Sequence, residues 1–185
     1  MQPDDFSQWI APAQSRMVNC TWRIVRDAAD TDDVIQEVLL HVFKRFDEVR
    51  RHPNPTALLL RICTQKALDH LRRRKSRGGP ASILSPDLTS PTPSPRQQLA
   101  ADEQRQQLLA FIGELPAREA EAITLYALEE MGYPDVAAAM DCREATVRVL
   151  VGRARERFRV EFGREKPTAK TTEAELSELS KFQKD

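Results

Sequence analysis

The 185-residue sequence lacks net charge: 28 Lys and Arg balance 28 Asp and Glu. That balance excludes a uniformly basic nucleic-acid coat and a wholly acidic disordered tail, so any basic surface has to be local. Long apolar runs are missing too. The longest stretch, residues 122–128 with Thr124 counted as neutral, falls far short of the roughly 20 residues a membrane helix needs. The opening Met1-Gln2-Pro3-Asp4-Asp5 has neither the basic start nor the apolar core of a secretory signal, which points to a cytoplasmic protein. Cysteine is scarce: Cys20, Cys63 and Cys142 are odd in number and scattered, which suits a reducing compartment and gives no zinc spacing. They read as small buried hydrophobes. His41, His52 and His70 have no metal spacing either, and no cofactor is expected. Neither an internal repeat nor an alternating strand pattern occurs, so the expected fold class is all-α.

What the sequence does have is a divided organisation. Residues 1–79 carry fourteen basic and ten acidic groups, net +4, whereas 102–163 carry eight and twelve, net −4. Between them, residues 80–101 hold five of the twelve prolines among Ser, Thr and Gln, a composition read as an extended, semi-rigid linker holding two small domains apart. Residues 164–185 form a polar tail in which Thr172 and Glu175 suggest a capping box before Leu176, Leu179 and Phe182.

In the first domain, Val34, Val38, Val42 and Phe46 recur at i+4, predicting an amphipathic helix that begins near Asp30, with Asp30, Asp32 and Asp33 favouring its positive end. Pro53 and Pro55 break the pattern, and a second helix is expected from Thr56 to about Arg74, ending by Gly78 and Gly79. Its buried face is Leu58, Leu59, Ile62, Ala67, Leu68 and Leu71, and its last turns are densely basic. In the second domain, helices are expected at 102–115, 117–130 and 134–140. A fourth starts near Glu144, with Val147, Leu150, Val151, Ala154 and Phe158 as its core face. Arg148, Arg155 and Arg159 lie opposite, with Arg153 and Arg157 alongside. A three-residue turn before an amphipathic, arginine-faced helix describes a helix-turn-helix.

Each signal has a plainer reading. Basic helix residues are often a solvated face, and the acidic set Asp30, Asp32, Asp33 and Glu37 is of a type that can chelate Mg2+. No general base or positioned Lys accompanies that set, and its place at a helix start fits capping or partner binding better than catalysis. Trp9 and Trp22 read as core or docking residues.

The ordered motifs resemble a bacterial RNA polymerase sigma factor of the extracytoplasmic-function type, the compact branch of the sigma-70 family. Asp30-Thr31-Asp32-Asp33-Val34-Ile35-Gln36-Glu37-Val38 is similar to the D-A-E-D-L-V-Q-E-V signature of the first sigma domain. Ala67-Leu68-Asp69-His70-Leu71-Arg72-Arg73-Arg74 is similar to the A-L-D-H-L-R-R-R end of the promoter-facing helix. Glu114-Leu115-Pro116-Ala117-Arg118-Glu119, Ala145-Thr146-Val147-Arg148 and Arg153-Ala154-Arg155 are similar to L-P-x-R-x-R and G-T-V-K-S-R-L-x-R-A-R of the second. The match spans about residues 15–79 and 102–162.

The resemblance implies two helical domains, a sigma2-like bundle (1–79) and a sigma4-like helix-turn-helix (102–163), joined by the Pro-rich linker (80–101). It implies a promoter-specificity factor and not an enzyme. Core RNA polymerase and promoter DNA would be its partners, with an anti-sigma factor a common further partner of such proteins. Asp32, Asp33, Gln36 and Glu37 would dock on polymerase. Arg61, Gln65, Lys66, His70, Arg72, Arg73 and Arg74 would meet the minus-ten element. Arg143, Thr146, Arg148, Arg153 and Arg155 would meet the minus-thirty-five element. Departures from the pattern are Pro55 and Leu58 where the family has Phe and Trp, Ile62-Cys63-Thr64-Gln65 for I-A-R-N, Leu150 for Arg, Gly152 for His, and Asp141 where the turn often has Gly. Two rival readings are a stand-alone helix-turn-helix DNA-binding regulator, and a degenerate sigma-like protein that occupies polymerase without starting transcription.

Overall fold

The computed structural model describes residues 3–77 and 95–163, and helices account for most of them. The first half contains α1 (Pro3–Val25), α2 (Ala28–Lys44), the short α3 (Phe46–Arg50) and α4 (Pro55–Ser76). The second contains α5 (Pro95–Glu114), α6 (Ala117–Ile123) running into a π turn (Thr124–Leu128), α7 (Tyr133–Ala139) and α8 (Glu144–Phe162). The glycine pair at 78–79, most of the 80–101 segment and the 164–185 tail lie outside the described residues. Within 80–101, residues 95–101 are helical, because Pro95 stands at the start of α5, where its missing N–H costs nothing.

Local chemistry sets the helix boundaries. Arg26 takes a left-handed backbone (φ 57°) that ends α1, and Asp27 then caps α2, accepting a 3.0 Å hydrogen bond from the Asp30 amide. The α2 helix thus begins two residues before the Asp30 start expected from its apolar stripe. At α4, Asn54 accepts from the Ala57 amide (3.0 Å) and Pro55 fills the first turn, so Pro55 serves the helix start. Asp141, with φ 48°, supplies the left-handed residue of the turn between α7 and α8, a conformation Asp tolerates better than most residues.

Core formation follows the periodicity. Val34, Ile35, Val38 and Val42 of α2 pack with Leu59, Leu60, Ile62, Cys63, Ala67 and Leu68 of α4 against Met17, Cys20 and Ile24 of α1. Trp9 and Phe6 meet Phe46 edge-on, with ring centroids 5.2 and 5.5 Å apart. In the second half Val147, Val151 and Ala154 bury one face of α8 against α6 and α7. Cys20 and Cys63 are fully buried and Cys142 only partly. Burial pushes the Cys63 thiol up to about 12 and Cys20 well above its ordinary value, which leaves both as inert protonated thiols.

The two halves are not held apart. Buried residues of α1, α2 and α4 and of α6, α7 and α8 belong to one continuous apolar cluster, and α4 packs against α5, α6, the π turn and α7. The expectation of separated domains came from linker composition, which constrains the linker's own stiffness and says nothing about affinity between the halves.

Gly152 lies on the exposed side of α8 with nothing within 4 Å of where a Cβ would stand. Replacing it by Ala removes backbone freedom from the unfolded chain without a clash, so Gly152→Ala should stabilise the protein by about 0.5–1 kcal/mol in denaturant unfolding.

Candidate nucleic-acid interface

The acidic helix α2 divides its carboxylates between two directions. Asp32, Asp33, Gln36 and Glu37 are exposed, and the stripe continues into Leu40 and Phe43, 56% and 40% exposed. Those two apolar residues were not singled out by sequence. The signal was present as apolar residues off the buried Val34–Val38–Val42 line. Asp30 and Glu37 lie seven residues apart on one line of the helix and turn toward α4. Asp30 Oδ2 is 3.1 Å from His70 Nε2 and 3.5 Å from Arg74, and Glu37 is 3.6 Å from both Lys66 and Arg73. The polymerase-docking and minus-ten residues predicted from sequence therefore meet in one network through Glu37. The metal reading of the acidic set gives way to these cationic neighbours. Among the described residues no group of three or more His, Cys, Asp or Glu is arranged to hold a metal ion.

On its other flank α4 faces the second half. Arg61 Nε donates to Glu121 (3.2 Å) and its Nη1 to the Ala139 carbonyl (3.0 Å), while Gln65 donates to the same carboxylate at 2.8 Å. Arg72 donates to the Gly113 and Leu115 carbonyls at 3.1 and 3.3 Å, and Lys75 pairs with Glu114. Further along, Asn54 donates to Asp135 at 3.0 Å, and Arg23 of α1 reaches the Leu128 carbonyl and Glu129. A cleft of about 300 Å³ opens along this line between Gln65, Lys66, Asp69 and Arg72 of α4 and Ala117 and Glu121 of α6. Each of the seven α4 residues predicted to face DNA thus has a partner inside the molecule.

The helix-turn-helix is simpler. With Val147, Val151 and Ala154 buried, α8 presents Arg143, Thr146, Arg148, Gly152 and Arg153 to solvent. Arg148 is placed from two sides: its Nε donates to Glu144 at 3.2 Å, and its guanidinium lies 4.4 Å from the Tyr133 ring centroid. Tyr133 stacks on Tyr126 at 4.6 Å, and Arg155 lies 5.1 Å from the Tyr126 ring. Arg155 is half-buried beside the π turn, set back from the exposed face. Arg157, its side chain 56% exposed, pairs with the buried Glu119 at 2.9 Å, so it stands alongside the arginine face with one contact into α6.

Two family models match the chain. Residues 10–77 match Sigma-70 region 2 and residues 105–158 match Sigma-70, region 4, in the order of α1–α4 and α5–α8. The RNA polymerase sigma-H factor of Pseudomonas aeruginosa is 27% identical over 159 residues, covering 82% of each chain. The ECF RNA polymerase sigma-E factor of Escherichia coli is 28% identical, covering 82% of this chain and 83% of that one. The probable RNA polymerase sigma factor RfaY of Xanthomonas campestris is 26% identical, and the chain spans 40% of its length. Two solved structures share the fold. One is CnrH in complex with the cytosolic domain of CnrY (TM-score 0.55, 20% identity, 89% of this chain and 91% of that one). The other is the sigma factor RpoE with the anti-sigma factor NepR from Bartonella quintana (TM-score 0.52, 21% identity, 88% and 99%).

The line between the halves also carries a titratable group. Glu129, with its side chain 6% exposed, is pushed up from the ordinary carboxylate range by burial, against the opposing charges of Arg23 and Arg16. A carboxyl that holds its proton more tightly folded than unfolded stabilises the fold below its unfolded value, and that contribution is lost as pH rises through the folded value. Wild type should therefore lose melting temperature relative to Glu129→Gln as pH is raised from about 4.3. Parallel melting curves of the two proteins across that window check this.

Proposed function

Because the chain belongs to the sigma-70 family of RNA polymerase sigma factors, in its extracytoplasmic-function type, we propose specific roles for its surfaces in promoter-directed transcription initiation. The exposed stripe Asp32, Asp33, Gln36 and Glu37, extended by Leu40 and Phe43, docks on core RNA polymerase. Its mixed acidic and apolar character supports that reading, since exposed apolar side chains beside charges suit a protein partner better than DNA. The basic flank of α4, from Arg61 to Arg74, holds the minus-ten element. The exposed face of α8 enters the major groove at the minus-thirty-five element, where Thr146 and Arg148 near its N-terminal end read base edges and Arg143 and Arg153 meet phosphate. Arg155, set back against Tyr126, supports α8 and reaches phosphate only at its rim.

The single observation that carries this reading is the ordered pair of region 2 and region 4 matches on a fold whose second half exposes an arginine face on the helix after the turn. The protein acts by binding and positioning, with no chemical step of its own. Among the described residues no helix is long and apolar enough to cross a membrane. Together with the bacterial polymerase as partner, this supports work in the cytoplasm. A partner of anti-sigma type is part of the proposal, since the neighbour RpoE was solved with one.

The test is transcription by bacterial core polymerase with and without the purified protein on a genomic promoter library. New starts that share two spaced upstream elements are expected. Polymerase binding without new starts would favour the degenerate interaction protein, and tight duplex binding without polymerase binding would favour the stand-alone regulator. On a promoter so defined, Arg148→Ala should cost about 1–3 kcal/mol of discrimination at one upstream base pair. Arg153→Ala should weaken binding evenly across sequences and lower the salt dependence by about one counterion. Leu40→Asp should weaken polymerase binding while leaving the melting temperature near wild type, because Leu40 is exposed.

A further inference from the structure

Two arginines of α8 are joined through a pair of stacked rings. Arg148 and Arg155 stand seven residues apart on one line of α8, about 10 Å along its axis. The Arg148 guanidinium lies over the Tyr133 ring at 4.4 Å, Tyr133 stacks on Tyr126 at 4.6 Å with 23° between their planes, and Arg155 lies 5.1 Å from the Tyr126 centroid. All three contacts fall at the spacing where ring faces attract cations or one another. The chain takes an unusual path to build this row. At the π turn the Glu129 amide bonds the Thr124 carbonyl at 3.2 Å, Glu130 then takes a left-handed backbone (φ 52°), and Gly132 leads into α7 with Tyr133 in its first turn. That reversal brings Tyr133 back over Tyr126, seven positions earlier, beside α8. Periodicity singled out neither tyrosine.

Arg148 is thus held by two groups of different kinds. The Glu144 carboxylate takes donors from its Nε and Nη2, and the two side chains are 60% and 41% exposed, so this pair is weak and screened by salt. Those donors are also the ones a guanine edge accepts, so Glu144 competes with a base for them. Tyr133 holds the guanidinium through its ring face and takes no carboxylate-like share of its donors. We propose that Tyr133 and Tyr126 are positioning residues for Arg148: the row Arg155, Tyr126, Tyr133 fixes where the guanidinium stands before DNA arrives, and thereby sets how sharply one base pair of the upstream element is read. The inference rests on the reading of Arg148 as a base-reading residue. An exposed arginine loses rotamer freedom when it grips a base, and a ring that has already removed that freedom leaves more of the contact to act as selectivity. Arg155, at the inner end of the row, holds Tyr126 and so acts on Arg148 through both rings.

The experiment is transcription by core polymerase carrying the full chain, on a promoter library in which each position of the upstream element is varied to all four base pairs. Arg148→Ala first identifies the pair whose preference depends on Arg148. At that pair Tyr133→Leu, which keeps an apolar side chain and removes the ring, should lose about tenfold of the preference while choice at other positions is kept. Tyr133→Phe should retain the preference, because the ring face and not the hydroxyl makes the contact. Tyr126→Leu, one ring further back, should lose about threefold, and it carries the test if circular dichroism shows Tyr133→Leu unfolded. Glu144→Ala should leave the preference within about twofold of wild type. Added to Arg148→Ala, Tyr133→Leu should remove nothing more at that pair. A purely structural role for the rings lowers transcription from every promoter alike, and that result with the preference intact in folded Tyr133→Leu or Tyr126→Leu overturns the proposal. Loss of the preference in Glu144→Ala also overturns it, since the carboxylate would then be the holder. Absence of promoter-specific starts from wild type, or an Arg148→Ala that changes no preference, overturns instead the reading on which the proposal rests.

Discussion

The last carbonyls of a helix have no intrahelical donor, and in this protein guanidinium groups from elsewhere in the chain supply several of them. Arg72 reaches the end of α5 at Gly113 and Leu115, Arg61 the end of α7 at Ala139, and Arg23 the end of the π turn at Leu128. Arg118 closes the same end of α7 from within the second half, at Met140. Three of these four arginines belong to the first half, so the satisfaction of helix ends in one domain depends on side chains of the other. That dependence orients the halves. It also brings two glutamates of the second half, Glu121 and Glu129, into the seam beside arginines of the first.

Helix α4 shows what such an arrangement costs in versatility. Its apolar face is committed to α1 and α2, and its two polar flanks are divided between α2 carboxylates and the second half. A surface pair such as Glu37 with Lys66 or Arg73 is weak and screened by salt, so it yields easily to a phosphate. The Arg61–Glu121 pair is less solvated, with side chains 21% and 10% exposed, and yields only when both groups gain other partners. The polar flanks of α4 are thus held in two ways, softly by α2 and more firmly by the second half.

Much of this was legible from sequence where the physics is local. The apolar stripe of α2, the Pro55 break, the turn ending at Arg143 and the buried line Val147–Val151–Ala154 all follow from periodicity and backbone restriction, which act within a few residues. Residue types at the interface were legible for the same reason, since Arg and Gln on a helix flank announce a need for oxygen acceptors. The identity of those acceptors was not. Gln65 and Glu121 are 56 positions apart, Arg61 and Ala139 are 78, and nothing in linker composition tells whether the halves attract. The partner of Arg157 was hidden by the same limit, because Glu119 lies on another helix 38 positions away. The π turn at 124–128 also escaped the pattern, since one extra residue in a turn leaves no compositional mark.

The register of α2 draws these strands together. Carboxylates at 30 and 37 fall on one line and those at 32 and 33 on another, so a single acidic run serves two surfaces without any change of residue type. A one-residue slip of that run would turn Asp30 and Glu37 away from His70, Lys66, Arg73 and Arg74, leaving four cationic or protonatable groups of α4 without their carboxylates. It would also carry the apolar Val34–Val38–Val42 line out of the core, so packing and charge pairing fix the same register. Motif spacing in α2 therefore encodes more than an exposed acidic stripe. The spacing that exposes Asp32, Asp33 and Gln36 is the one that holds Glu37 against the basic flank of α4, and a partner that engages Glu37 acts on Lys66 and Arg73 in the same step.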